Sequence, residues 1–327
     1  MRVLPSYELY QWFSDGPTRV EVKKAKSQLH HFSVDGKSDD GLTLNSYVGC
    51  AHRCVYCYAA YEWTPNFYDV VVVRTNSNQL LERELEGWKE PAVDPVFLSS
   101  ATDCYQPLEG KYRITRKCVE TLQKHGVPYC ILTKSSSIVR DLDLHASYRD
   151  KCIIAWSLTT LDDRVKKTIE PGASTAYGVL RALQVLSERG ITTGVNIDPI
   201  IPGLTDDSKD LAEIVKQVSQ HGAKFVNAAY LRLRPDIWDR LQKLFRDMGR
   251  PDVVSLVRSL YFEQPTKLNG YLTIRSDYAK NKLDEIRRTA QGENIDFGFP
   301  SGASGSSQCG AVSLTPKQLW VQVPLTV

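Results

Sequence analysis

The residues with the clearest chemical potential are three closely spaced cysteines, Cys50, Cys54 and Cys57. They follow a strand-like run at 42–47 directly, so one short loop can bring all three sulfurs together. A structural zinc site takes four ligands, usually in two pairs, and the sequence has no second Cys-x-x-Cys and no His-x-x-x-His. A four-iron cluster is normally bound by four thiolates, so with three its fourth iron keeps a coordination position open for a substrate or cofactor.

One alternative stays open for these cysteines, namely a zinc site that His52 or the distant Cys309 completes. The other cysteines are scattered along the chain: Cys104, Cys118, Cys130, Cys152 and Cys309. Isolated cysteines of this kind usually behave as small buried hydrophobes.

Composition sets few limits on function. The chain has 327 residues, and 41 Lys and Arg against 38 Asp and Glu give a net charge of +3. This charge is too small to argue by itself for a nucleic acid or a membrane surface. No apolar run reaches the length of a membrane span, and no signal peptide is evident, so we expect a cytoplasmic protein without a membrane partner. Eight cysteines are too few for a disulfide scaffold at this length.

Strand-like and helix-like segments alternate after residue 41, which is typical of a parallel α/β fold. The strand candidates lie at 42–47, 96–100, 128–133, 152–158, 192–197 and 225–231. Helix candidates lie at 78–88, 115–125, 136–145, 175–189 and 208–220, and a short extra strand at 69–74. Six such repeats suit an open (β/α) barrel or a doubly wound sheet, and periodicity alone does not separate the two.

The repeat ends near Met248. We expect three regions: an N-terminal extension (1–41), the α/β domain (42–248) and a C-terminal extension that covers it (249–327). The last region contains helix-like segments at 252–261 and 278–288, a turn at 269–270 and a flexible Gly/Ser-rich loop at 301–307.

The cysteine spacing, with an aromatic residue before the last cysteine, resembles the signature of the radical S-adenosylmethionine (SAM) superfamily. Further segments resemble its spore photoproduct lyase-related branch, also described as DNA repair photolyase-like: 45–58, 99–109, 132–135, 140–144, 156–160, 169–171 and 198–203. The resemblance implies a partial (β/α)6 barrel in which the three cysteines bind a 4Fe-4S cluster. It also implies that SAM is cleaved reductively to a 5′-deoxyadenosyl radical, which abstracts hydrogen from an unidentified substrate.

The resemblance also implies cofactor contacts at strand ends. Tyr56 would contact the adenine, Thr102 the methionine amino group and Lys134 the SAM carboxylate. Ser157 would reach the ribose or the carboxylate. Arg181 and Asn196 are weaker candidates for SAM contacts.

Each of these assignments has a plainer alternative. Lys134 could be a solvated charge and Ser157 a turn former. Glu170 and Arg181 could form an ion pair, and Asn196 and Asp198 could cap the helix that follows them.

A hydrogen-donor cysteine, with neighbouring tyrosines that relay the radical, belongs to the spore photoproduct lyase pattern. Here Cys104 lies after Asp103, whereas the lyase cysteine precedes this stretch, so Cys104 with Tyr58 is a candidate for a relocated donor. Cys309 could also act as a thiol donor.

The substrate and the partners stay open at this point. A lyase that repairs DNA is one alternative, and a non-catalytic module that binds metal or nucleic acid is another. Basic and aromatic residues interleave after residue 231, so a nucleic acid is a candidate partner. The electron donor would be a flavodoxin or a ferredoxin.

Overall fold

The computed structural model describes part of the chain, residues 19–31, 42–62, 67–88, 95–98, 100–268 and 270–298. Cys309, the loop at 301–307 and most of the expected N-terminal extension lie outside these residues.

The described residues form thirteen strands and eleven α-helices. The strands are β1 (Arg19–Lys23), β2 (Leu29–His31), β3 (Leu42–Leu44), β4 (Tyr47–Val48), β5 (Val70–Arg74), β6 (Val96–Leu98), β7 (Tyr129–Thr133), β8 (Cys152–Ser157), β9 (Thr192–Ile200), β10 (Phe225–Tyr230), β11 (Thr266–Leu268), β12 (Tyr271–Thr273) and β13 (Asp296–Phe297). The helices are α1 (Ala59–Glu62), α2 (Ser77–Glu86), α3 (Glu109–Tyr112), α4 (Ile114–Lys124), α5 (Leu142–Ala146), α6 (Asp163–Ile169), α7 (Ala176–Ser187), α8 (Ser208–Gln220), α9 (Pro235–Asp247), α10 (Pro251–Phe262) and α11 (Ser276–Gly292).

The central sheet has the order β13-β10-β9-β8-β7-β6-β3-β2. From β3 to β10 the strands are parallel and follow the chain order without reversal. A doubly wound sheet would reverse at a switch point, so this order confirms the barrel alternative. The barrel is open, because within the described residues β2 and β13 end the sheet.

The expected elements are present, with small shifts at their ends. All six expected strands form the parallel part of the sheet, and the extra strand appears as β5. The segment expected as one helix at 136–145 begins as a 3-10 helix (Ser136–Asp141) and continues as α5. Sequence reasoning missed α9, as well as β2 and β13, which extend the sheet beyond both expected limits of the barrel domain.

Local sequence explains the clearest of these elements. All six residues of β8 are buried, as is usual for a parallel strand whose two faces are covered. Helix α8 begins after Asp207, whose carboxylate accepts hydrogen bonds from the backbone N–H groups of Lys209 and Asp210. None of the described helices is both long and apolar enough to cross a membrane.

A small second sheet, β1-β5-β4, carries the cysteine segment. Strand β4 pairs with β5 in antiparallel register and leads directly into Gly49, which has φ +84°. A Cβ at Gly49 would lie 2.1 Å from the carbonyl oxygen of Val70. Only glycine fits this close approach, so Gly49 determines how the chain enters the cysteine loop.

A polar network lies within the core behind the sheet. His145 is fully buried, and its two ring nitrogens lie 2.9 Å from the hydroxyls of Tyr105 and Tyr129. Tyr105 also donates to Asp141, which is bound by Arg116 and Arg140. Burial lowers the pKa of His145 to about 4, so the ring is neutral in the folded protein at neutral pH.

We predict that Gly49→Ala destabilises the protein by more than about 2 kcal/mol, because the new methyl group would overlap backbone atoms that cannot move aside. Thermal unfolding of the wild type and the variant measures the effect. Gly110→Ala is the matched control, since a Cβ there meets nothing within 4 Å. An unchanged melting temperature in Gly49→Ala would contradict the predicted overlap.

We also predict that acid destabilises the protein through His145. The unfolded state takes up a proton near pH 6.5 and the folded state only near pH 4. The contribution of His145 to the free energy of unfolding is therefore complete above pH 6.5 and is lost as the pH falls towards 4. Between pH 7 and pH 5 this loss is about 2 kcal/mol. Urea unfolding at both pH values should show this loss in the wild type, and His145→Gln should show a loss smaller by that amount. Equal pH dependence in both proteins would contradict the role of His145.

Candidate functional site

The cysteine loop follows β4 and brings Cys50, Cys54 and Cys57 together, so that a thiolate at Cys57 raises the pKa of both other thiols. Cys50 and Cys54 are buried and Cys57 is partly exposed. Burial raises the pKa of all three thiols, and that of Cys50 to about 12. Three such thiols become thiolates together only when a bound cation compensates their charge.

Backbone N–H groups already point at two of these sulfurs. Those of His52 and Asp103 favour the thiolate of Cys50, and those of Ala59 and Ala60, at the start of α1, favour the thiolate of Cys57. Such hydrogen bonds tune the ligands of iron–sulfur clusters. The donor set therefore fits a cluster with three protein thiolates.

Side chains from distant elements hold the loop in place. Gln106, fully buried, accepts from Ala51 N at 3.0 Å and donates to the carbonyl of Gly49 at 3.2 Å. Arg240 of α9 donates to the carbonyls of Val55 at 2.8 Å and Cys57 at 3.1 Å. Sequence reasoning assigned no role to these side chains. Gln106 lies within the segment 99–109 that resembles the family, whereas no local sequence pattern marks Arg240.

The imidazole of His52 contacts Asp103 through one of its two ring nitrogens. Its Nδ1 lies 3.3 Å from Asp103 Oδ2, and the same carboxylate accepts from Thr133 Oγ1 and Lys134 N, both at 2.7 Å. Burial favours the protonated acid, but His52 and these hydrogen bonds outweigh it and hold the pKa of Asp103 below its usual value.

The zinc alternative stays open, because this contact uses Nδ1 of His52 and a histidine ligand can bind a metal through Nε2. Within the part of the chain that the structure describes, no three His, Cys, Asp or Glu side chains are arranged to hold a metal ion. A cluster of several irons is larger than one ion, and its thiolates need not converge as closely.

Next to the loop, a buried carboxylate lies between two lysines. Glu170 accepts hydrogen bonds from Lys166 and from the hydroxyl of Tyr56, and Lys134 Nζ lies 4.0 Å from its Oε1. Thr159 donates to the same oxygen at 3.2 Å. Burial opposes ionisation of Glu170, but Lys166 and Lys134 outweigh it and lower its pKa. The suggested partner of Glu170, Arg181, was wrong, because Lys166 takes that place.

Lys134 is not the solvated charge that the sequence allowed. It follows the last residue of β7, is mostly buried and lies 5.7 Å from the ring centroid of Tyr56. Burial disfavours its charge, but Glu170 and Cys54 outweigh this effect and raise the pKa of Lys134. Lys134 thus remains a cation beside the cysteine loop.

The other expected contacts lie on or after neighbouring strands of the sheet. Thr102 is buried and donates to the carbonyl of Tyr47 at 3.1 Å. Ser157 ends β8 and is 4 % exposed. Asn196 lies opposite Ser157 in β9, and its side-chain oxygen accepts from Asn227 at 2.8 Å. Asn196 lies within the strand, so it does not cap a helix.

The remaining candidates lie elsewhere or have other contacts. Arg181 is exposed on α7 and donates to Gln184 at 2.6 Å, so the structure does not bring it to this group. The hydroxyl of Tyr58 donates to the carbonyl of Ser100. Cys104 is 1 % exposed and packs in the main core, where it lies near Tyr47 and Tyr105. Its role as a donor stays a prediction.

Comparisons with known proteins agree with this geometry. Residues 44–215 match the family model of the radical SAM superfamily. An uncharacterized protein of Mycobacterium tuberculosis is 31% identical over 262 residues, which cover 77% of this chain and 76% of that protein. A radical SAM Nalpha-GlyT isomerase of Pseudomonas phage M6 is 28% identical over 220 residues, 63% of this chain and 43% of that protein.

The fold has a counterpart among solved structures. A spore photoproduct lyase complexed with dinucleoside spore photoproduct superposes with a TM-score of 0.66, over 85% of this chain and 81% of that chain, at 15% identity. This likeness shows the same partial barrel. Together with a family match that spans more than half of the sequence and includes the whole cysteine loop, it leaves one conclusion, that this chain belongs to the radical SAM superfamily.

Proposed function

We propose that this protein is an enzyme that cleaves SAM reductively and abstracts hydrogen from an organic substrate. Membership of the superfamily implies SAM and an iron–sulfur cluster. We assign Cys50, Cys54 and Cys57 as the three protein ligands of a 4Fe-4S cluster. The observation that carries this proposal is the set of three adjacent thiols with backbone N–H groups directed at two of them. When bound, the cluster supplies one electron that splits the sulfonium of SAM into methionine and a 5′-deoxyadenosyl radical.

The neighbouring side chains would bind and orient SAM. Lys134 keeps its charge and offers a cation for the carboxylate of SAM. Thr102 already donates its hydroxyl proton, so it would act as an acceptor for the amino group. Ser157, whose side chain has no hydrogen-bond partner among the described residues, would bind the ribose or the carboxylate. Asn196 would assist from the next strand.

In this proposal Glu170 does not contact SAM but positions the side chains beside it. It fixes the hydroxyl of Tyr56, so the adenine would contact the ring or backbone of Tyr56 and not its hydroxyl. It also pairs with Lys166 and is the strongest of the anionic neighbours that keep Lys134 charged.

The substrate remains unassigned within this proposal. A relative named as an isomerase and a fold neighbour that binds a dinucleoside make a nucleic-acid component one candidate. The burial of Cys104 gives no support to a lyase that uses this thiol as its donor. The electron would come from a flavodoxin or a ferredoxin.

We predict that anaerobically reconstituted protein contains iron and sulfide and forms 5′-deoxyadenosine from SAM when reduced with dithionite. Cys54→Ala should lose the brown chromophore and at least 100-fold of this activity, since one ligand of three is removed. Cys130→Ala is the control, because this buried cysteine lies in a separate core cluster and should keep both. A protein that carries zinc in place of iron and sulfide would overturn the proposal.

A second prediction concerns the bound cofactor. Lys134→Met should retain its iron but bind SAM about 10- to 100-fold more weakly, because a charge-assisted hydrogen bond is worth roughly 1.5 to 3 kcal/mol. Equilibrium dialysis with labelled SAM measures the affinity, and iron analysis shows whether the cluster is intact. Lys216→Met, an exposed residue of α8, serves as the control. Equal affinities in both variants would exclude the contact with Lys134.

A further inference from the structure

A cavity of about 370 Å³ lies beside the small sheet, and none of the residues that line it is one of the proposed SAM contacts. Five basic side chains line it, Lys23, Lys24, Lys26, His30 and Arg74. No Asp or Glu lines it among the residues that the structure describes. Burial and the charge of Arg74 lower the pKa of His30, so the three lysines and Arg74 supply the positive charge of this cavity, on a protein whose net charge is only +3.

Most of this charge is not neutralised within the protein. Lys23 pairs with Glu21 at 2.7 Å, whereas Lys24, Lys26 and Arg74 form no ion pair with any described residue. Arg74 is half-buried, and the only hydrogen bond that its guanidinium makes to a described residue is to the carbonyl of Asn45, at 3.3 Å. A half-buried guanidinium without a counter-anion is costly, and an anion in the cavity would remove that cost.

The turn that carries the lysines is held at both ends. Asn76 Oδ1 accepts from the backbone N–H of Ala25 at 2.7 Å, and Asn76 Nδ2 donates to the carbonyl of Ala25 at 3.0 Å. The carboxylate of Glu84 accepts from the N–H groups of Gln28 and Leu29, both at 2.8 Å. These contacts hold the backbone of the turn before any ligand arrives, which lowers the entropic cost of binding.

We propose that this cavity binds phosphate groups, from a free nucleotide or from a polynucleotide backbone. Arg74 offers the planar pair of donors that matches phosphate oxygens, and Lys24 and Lys26 add point charges for a dianion. The volume lies in the range of sites for small ligands. Val48 forms part of the wall two residues before Cys50, so the bound phosphate would lie against the strand that leads into the cysteine loop.

The test measures anisotropy of a short fluorescein-labelled single-stranded DNA with the full-length protein, with adenosine monophosphate or pyrophosphate as competitor. Lys24→Gln/Lys26→Gln should weaken binding at least 10-fold at low salt. It should also reduce the slope of log affinity against log salt by about 1.4, or about 0.7 per phosphate contact. Both lysines are exposed, so the variant should fold, which circular dichroism checks.

The control is Lys209→Gln/Lys216→Gln, which removes the same charge from exposed positions of α8, near the opposite end of the sheet. This control should bind like the wild type. Displacement of the DNA by adenosine monophosphate or pyrophosphate would indicate a site for free phosphate ligands, and displacement only by unlabelled DNA a site for the backbone. Equal losses of affinity in both double variants would overturn the proposal. The absence of binding of both DNA and competitor at low salt would also overturn it.

The binding measurement uses neither SAM nor a reductant. The test is therefore independent of SAM cleavage, and either proposal can fail alone.

Discussion

The arrangement of the site depends on one constraint, that three sulfur atoms must lie side by side in a buried loop. Neighbouring backbone segments shape the loop because they pack closely against it at two glycines. Gly49 lies against the carbonyl of Val70, and Gly172 lies so near the loop that a Cβ would be 2.2 Å from the carbonyl oxygen of Ala51. Gln106 then binds the carbonyl of Gly49, and Arg240 binds those of Val55 and Cys57. The loop is thus shaped by side chains that lie 55 to 185 positions away along the chain.

The second constraint is charge. Thiols, carboxylates and lysines are buried within a few side chains of one another, and each charged group keeps its state only through a neighbour. Asp103 stays ionised beside His52, and Glu170 beside Lys166 and Lys134. These pairs are costly to desolvate, so their value lies in the orientation they impose on the loop, on Tyr56 and on the strand ends.

Much of the fold could be predicted because its signals are local. The strands and helices of the repeat carry runs of apolar residues, caps and glycine stops that each element contains in itself. The same signals could not place β2 or β13, which have three and two residues and acquire their structure from the strand beside them. Helix α9 lies where the repeat fades, and its link to the cysteine loop through Arg240 spans 185 positions.

The sequence by itself determined the donor set, the six strands and the family, since these depend on residue types, spacing and periodicity within short segments. Only the tertiary structure decided which charges meet. It paired Glu170 with Lys166, turned His52 towards Asp103, left Arg181 in solvent and gathered five basic residues from β1, the following turn, β2 and β5 around one cavity. The reason is physical: a thiol triplet is set by spacing along the chain, whereas the partner of a charged side chain is whichever group the folded sheet brings within a few ångströms.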